Sequence, residues 1–332
     1  MTHRCKRRGA LAVFVALVTS ACSSESLNAG STRLHGLLPV DERSPLIVAN
    51  DGASDNWQGE YAVLLANGGG PRLAGIIVND SGPWPDLTTN VVNWRGLIAA
   101  ARASGLAHLP DPTASIGSQL ARPDSGQIED TVANRSEGAR LIVSQAAKLS
   151  LPYRPLVVAT GGRLTDVADA YLIDHSVKDK IVVVSSMGTV TSSGGSMGAP
   201  NGEMDPWADV IVTTRLHFVQ VSAYYDQLTD VPESRVAELP DNPLGAWMAA
   251  KQSGIWQTPV AADQVAILAV AVPEFVSKVA KVSPRDPGSG AGAGPELGLD
   301  PAGSALLVTE SAGALATARL WELLLDPKTF GR

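Results

Sequence analysis

Cysteine is nearly missing from this 332-residue chain: its two cysteines, Cys5 and Cys22, both stand at the extreme start, which leaves no thiol for catalysis and no disulfide framework beyond position 22. Positive charge is also scarce. Twenty-six Lys and Arg face 33 Asp and Glu for a formal charge of −7, a balance that argues against binding nucleic-acid polymers, which need clustered basic residues. Gly68-Gly69-Gly70-Pro71 is followed by neither Lys-Ser nor Lys-Thr, so it reads as a flexible turn and not as a phosphate cradle. The apolar run Gly9 to Val18 is too short and wrongly flanked for a membrane-spanning helix.

That run does fit a secretory signal. Arg4, Lys6, Arg7 and Arg8 precede it and Thr19-Ser20-Ala21-Cys22 ends it, so residues 1–21 read as a signal peptide. Cys22 after Ser-Ala resembles a lipobox, with Thr19 departing from the usual Leu or Val. Acylation of Cys22 implies a secreted protein lipid-anchored at a bacterial envelope, with residues 22–44, rich in Ser, Asn and Gly, as anchor and tether. Loss of the four basic residues carries the formal charge from −7 to −11. The remainder, 45–330, is long enough for one large α/β domain.

The domain opens on LIVANDGASDN, residues 46–56. Leu46 to Ala49 make a short buried strand, a helical pattern starts near Trp57, and the polar turn between them carries Asp51, Asp55 and Asn56. In an open parallel sheet this edge is where ligands bind. Gathered oxygens suit calcium or magnesium better than zinc. Asp55 as a plain helix cap is the competing reading.

Further along, Leu73 to Asn79 reads as a second strand, Thr88 to Ser104 as a helix, Leu106 to Leu109 as a short third strand and Ser115 to Thr131 as a polar loop. Glu137 to Leu149 reads as an amphipathic helix. Leu156 to Ala159 and Ile181 to Val184 are near-continuous apolar strands, each in a βα step, and support a mostly parallel, doubly wound α/β sheet flanked by helices. Thr165-Asp166 reads as a helix cap, Val210 to Thr213 and Phe218 to Val221 as strands, Trp207 as core, and His217 as a surface or satisfied histidine. Residues 283–303 read as a Gly/Pro-rich loop, with Ser304 to Glu310 and Gly313 to Leu325 as a last strand and helix.

Several of these segments resemble the inosine-uridine nucleoside hydrolase family. Asn50 to Asn56 is similar to its DxDxGxDD signature, with Asp51 on the second Asp, Asp55 on the third and Asn56 replacing the last. RPLVVATGGRLTD followed by Met187-Gly188 is similar to its strand-TGPLTN-helix-strand-MGG unit, and Ala199 to Asp209 resembles its AEFN-x-x-x-D element. The resemblance implies that Asp51, Asn56, Asp263 and the Thr160 carbonyl hold calcium (Ca2+), that Asp51 takes the proton of the attacking water, and that Asp55, Asn79, Glu203 and Asp205 grip the ribose. Asp80 is as close a candidate as Asn79. The family's middle-loop histidine is absent around Arg122 to Gly126, and Ala262 replaces the histidine that protonates the leaving base, so either another residue, such as Tyr224, Tyr225 or Asp226, supplies the proton or the substrate has an easier leaving group. The implied function is metal-dependent hydrolysis of ribonucleoside N-glycosidic bonds. The alternatives are a catalytically silent nucleoside- or sugar-binding lipoprotein and a structural surface protein. The implied partner is a small nucleoside or sugar, with a homo-oligomer left open.

Overall fold

The computed structural model describes residues 37–52, 59, 63–65, 69–80, 86–115, 117–186, 204–221, 233–252, 264–288 and 294–330. Nine strands form one sheet in the order β3-β2-β1-β4-β5-β6-β9-β7-β8. They are β1 (Leu46–Asn50), β2 (Leu73–Val78), β3 (Pro112–Ala114), β4 (Leu156–Thr160), β5 (Ile181–Ser186), β6 (His217–Val221), β7 (Val276–Arg285), β8 (Glu296–Leu299) and β9 (Ala305–Ser311). β1 to β6 and β9 run parallel, and β7 and β8 close the edge antiparallel.

The apolar strands are buried on both sides because alternate residues feed two cores. Val48, Val78, Val157, Ala159, Val182 and Val184 face one core. Ile47, Ile77, Leu156, Val158, Ile181 and Val183 face the other. The first is covered by α1 (Leu87–Ala103), α5 (Pro243–Gln252), α6 (Gln264–Ala271) and α7 (Gly313–Leu325). The second is covered by α2 (Glu137–Leu149), α3 (Thr165–Ile173) and α4 (Pro206–Arg215). Helices on both faces of a mostly parallel sheet make this the doubly wound α/β architecture expected from the apolar strands. Among the described residues, no helix is long and apolar enough to cross a membrane.

Four expectations change. The segment 106–109 is not a strand; the third strand is Pro112–Ala114, an edge strand that exists by pairing with β2. Val210 to Thr213 lies inside α4, where the Asp205 cap and Pro206 in the first turn override the β propensity of Val and Thr. The stretch 283–303 includes the end of β7 and all of β8, which pair with each other. Thr165 and Asp166 do not cap α3: its N-cap is Leu164, with no side-chain cap bond, and Asp166 is buried in the first turn. His217 is exposed at the start of β6 and Trp207 is buried, both as expected.

Candidate functional site

The strand order fixes where a ligand sits. From β1 the chain winds outward to β2 and β3, then returns to the opposite side of β1 for β4. Neighbouring crossovers therefore diverge between β1 and β4, and in open α/β sheets ligands bind at the carboxyl ends of the strands at such a switch point. Asp51 follows β1 directly, Thr160 ends β4, and Asn79 follows β2. Backbone bonds carry the pairing past the strand ends: Asn79 N donates to Asn50 O at 3.1 Å and Gly161 N to Ala49 O at 3.1 Å. Residues far apart in the chain thus become neighbours along one edge.

Asp51 is a buried carboxylate, 4% exposed. Its backbone is set by the residue before it, since Asp51 N donates to Asn50 Oδ1 at 2.7 Å, and its own Oδ1 accepts Gly52 N at 2.7 Å. From below, Trp94 of α1, fully buried, donates Nε1 to Asp51 O at 3.1 Å. α1 is itself started by Asp86, which accepts from Thr89 N at 3.0 Å. A cap, a helix and an indole therefore stand behind the turn that carries the carboxylate.

Asn79 donates Nδ2 to Arg163 O at 3.3 Å, while its buried Oδ1 has no hydrogen-bond partner among the described residues. Thr160 is also fully buried, its Oγ1 likewise without a partner among the described residues, and its carbonyl accepts from Ser186 Oγ at 3.1 Å. Gly161 and Gly162 turn the chain tightly beside them; a β-carbon at Gly162 would stand 2.5 Å from Asn79 Oδ1. Native interiors seldom leave buried polar atoms unpaired, so two of them at the ends of β2 and β4 call for an explanation.

The Asp51 carboxylate and Thr160 carbonyl are hard oxygen donors on adjacent strands, and a carbonyl already accepting one bond keeps a second lone pair. That donor chemistry fits calcium or magnesium and does not fit zinc. Among the described residues, no three His, Cys, Asp or Glu side chains come together as a metal site. Of the other expected residues, Asp55, Asn56, Glu203, Asp263 and Cys22 lie outside the described residues, as do Ala262 and Tyr224, Tyr225 and Asp226.

Asp205 occupies a different setting. Its Oδ2 accepts from Thr165 Oγ1 at 2.6 Å and Leu120 N at 3.0 Å, and its Oδ1 caps α4 through Ala208 N at 3.1 Å. It joins α4 to α3 and to the loop before α2. Burial, the largest influence, pushes its carboxyl above the usual range against these three bonds. Nearby, Asp166 Oδ1 accepts from Ser115 Oγ at 2.5 Å and Ser136 Oγ at 2.7 Å, and Asp169 accepts the backbone N–H of Arg135 and Ser136. Burial again dominates and raises the Asp166 carboxyl, with Asp169 adding to the rise. Neither this cluster nor the parts of Trp94, Gly162 and Arg163 is visible in local sequence, because each partner comes from a distant segment.

No family model and no curated protein matches the sequence. Solved structures do match. A purine-preferring ribonucleoside hydrolase from Gardnerella vaginalis superposes with a TM-score of 0.60 at 15% identity, over 86% of this chain and 99% of that one. An inosine-uridine preferring nucleoside hydrolase from Bacillus anthracis gives a TM-score of 0.61 at 12% identity over 86% and 99%. This chain has the nucleoside hydrolase fold. The effector protein XopQ, solved with adenosine diphosphate ribose, is a further match, with a TM-score of 0.52 at 15% identity over 90% and 98%. In this fold Asp51, Asn79 and Thr160 stand at the carboxyl ends of the neighbouring strands β1, β2 and β4, beside the switch point of the sheet.

Proposed function

We propose that the protein is a secreted, calcium-dependent hydrolase of ribonucleoside N-glycosidic bonds, tethered through acylated Cys22. The observation that carries the reading is a buried carboxylate, Asp51, at the end of β1 beside the β1–β4 switch point of a nucleoside hydrolase fold, with Asn79 at the end of the neighbouring β2, its amide oxygen buried and without a partner among the described residues. A ribose hydroxyl would supply the donor that this oxygen lacks there. Asp55 and Glu203 complete the ribose grip, and a hold at several hydroxyls also orients the anomeric carbon. Asp205, committed to three protein donors, serves that grip by fixing the first turns of α3 and α4.

Asp51, Asn56, Asp263 and the Thr160 carbonyl would hold the ion. Calcium bound there supplies a site that orients water and lowers its pKa. Water adds to the anomeric carbon, Asp51 accepts its proton, and the C–N bond breaks through an oxocarbenium-like transition state as the base leaves with the bonding pair. With Ala262 where the family has histidine, protonation of the base is weakly supported. General-acid help contributes on the order of 100-fold or more, so the site suits a base that departs readily.

The test is release of reducing sugar from a panel of purine and pyrimidine nucleosides by the mature domain, with calcium and with chelator. Calcium-dependent release supports the hydrolase. Binding without release, seen as a nucleoside-induced rise in melting temperature, supports the silent binding protein instead, a reading favoured by the replacements at Asn56 and Ala262. Neither binding nor release leaves the fold in a structural role.

A further inference from the structure

Residues 79–80 after β2 and 162–163 after β4 are joined twice. Through the backbone, Arg163 O accepts Asn79 Nδ2 at 3.3 Å. Through side chains, Arg163 Nη2 lies 3.4 Å from Asp80 Oδ2, with the arginine side chain only 11% exposed and the aspartate 40%. Gly162 between them packs against Asn79 so closely that a β-carbon would meet its amide at 2.5 to 3.2 Å. An amide group carries its donor and acceptor at opposite ends, so tying down Nδ2 fixes the direction of Oδ1. That oxygen is buried and has no hydrogen-bond partner among the described residues.

We propose that the Arg163–Asp80 ion pair is a positioning device for sugar binding: it holds the 161–163 turn across the end of β2 so that Asn79 keeps its amide oxygen toward a ribose hydroxyl. Arg163 touches no reacting atom in this account. Its carbonyl orients Asn79 and its guanidinium anchors that carbonyl. A partly desolvated arginine is suited to this because it stays charged and presents several donors in a rigid plane. The inference rests on the ribose-site reading of Asn79.

The experiment is steady-state kinetics on inosine for the wild type, Asn79→Ala, Arg163→Ala, Arg163→Lys, Asp80→Asn and the double variant Asn79→Ala/Arg163→Ala, each with its melting temperature. Arg163→Ala is expected to raise KM about tenfold with a smaller change in kcat, the size of one lost well-placed hydrogen bond. Arg163→Lys recovers part of that rise, and the double variant is no worse than Asn79→Ala alone, because residues acting as a unit are non-additive. Asp80→Asn carries the same expectation should Arg163→Ala not fold. A KM within about twofold of wild type, or effects of Arg163→Ala and Asn79→Ala that multiply, overturns the inference. If the wild type binds without turnover, the same comparisons are read in Kd. A wild type that neither binds nor hydrolyses any nucleoside removes the ribose-site reading and the inference with it, a result distinct from a normal wild type beside an unaffected Arg163→Ala.

Discussion

Two polar regions share the carboxyl edge of this sheet and are finished differently. Around Ser115, Ser136, Thr165, Asp166, Asp169 and Asp205, hydroxyls and backbone N–H groups converge on the carboxylates, and both oxygens of Asp169 and of Asp205 accept bonds. At the ends of β2 and β4, Asn79 Oδ1 and Thr160 Oγ1 are buried with no partner among the described residues. Residue type does not separate the regions, since both are built from Asp, Asn, Ser and Thr. Saturation does. A buried polar cluster whose partners are all internal spends its hydrogen bonds on joining elements, whereas one left incomplete among the described residues retains acceptors that the proposed ribose site would use.

The largest stability change belongs to the saturated region. A β-carbon at Gly138 would come within 2.8 Å of Asp166 Cγ, Ile77 Cγ2 and Ser115 Oγ together. Gly138→Ala is therefore expected to destabilise by about 1–3 kcal/mol, as overpacking does, and to lower the urea midpoint with turnover per folded molecule nearly unchanged. A loss of turnover without a loss of stability would erase the distinction between the regions.

Next is the link behind the open site. Trp94→Phe keeps most of the buried ring but removes the Nε1 bond to Asp51 O. A net loss of about 0.5–1.5 kcal/mol in stability is expected, together with a lower kcat, because the turn carrying Asp51 loses its support. Urea melts and kinetics on the same preparation measure both, and an unchanged kcat would show that Asp51 is held by its strand alone.

The smallest effect lies at the surface of the saturated side. Arg215 bonds to Glu129 and holds its carboxyl down at about 2. A depressed carboxyl stabilises the fold above its ordinary value of 4.5, and that contribution is lost as pH falls from there toward 2. Both side chains are about a third exposed or more, so solvent screens the pair. Glu129→Gln is expected to lower stability slightly at neutral pH, where the contribution is fully present, and so to flatten the acid limb, with no change near pH 2; an unchanged neutral stability or a loss confined to strongly acid pH would contradict the assignment.

Much of the frame is legible in sequence because it is local. Leu156 to Ala159 and Ile181 to Val184 are apolar without interruption, and Glu137–Leu149 and Gly313–Leu325 carry helical signals with bounds that the structure repeats. What fails is set by tertiary pairing. β3 consists of three residues starting at Pro112 and exists through β2; the end of β7 and all of β8 hide in a Gly/Pro-rich segment; and the β-branched run in α4 is turned helical by the Asp205 cap and Pro206. At the site, Asp51, Asn79 and Thr160 stand at strand ends, where sequence can place them. Apart from the local cap at Asp205, the bonds that give Asp205, Asp166 and Arg163 their parts join residues 30 to 85 positions apart, and no local pattern announces them.

One pair of variants tests the central claim most directly: Asp51→Asn and Asp166→Asn, the same change of carboxylate to amide on the same sheet edge, compared by reducing-sugar release and by melting temperature. The account predicts that Asp51→Asn abolishes release and keeps the wild-type melt, and that Asp166→Asn shifts the melt and keeps release per folded molecule. Full activity in Asp51→Asn, or loss confined to Asp166→Asn in a folded protein, would contradict it.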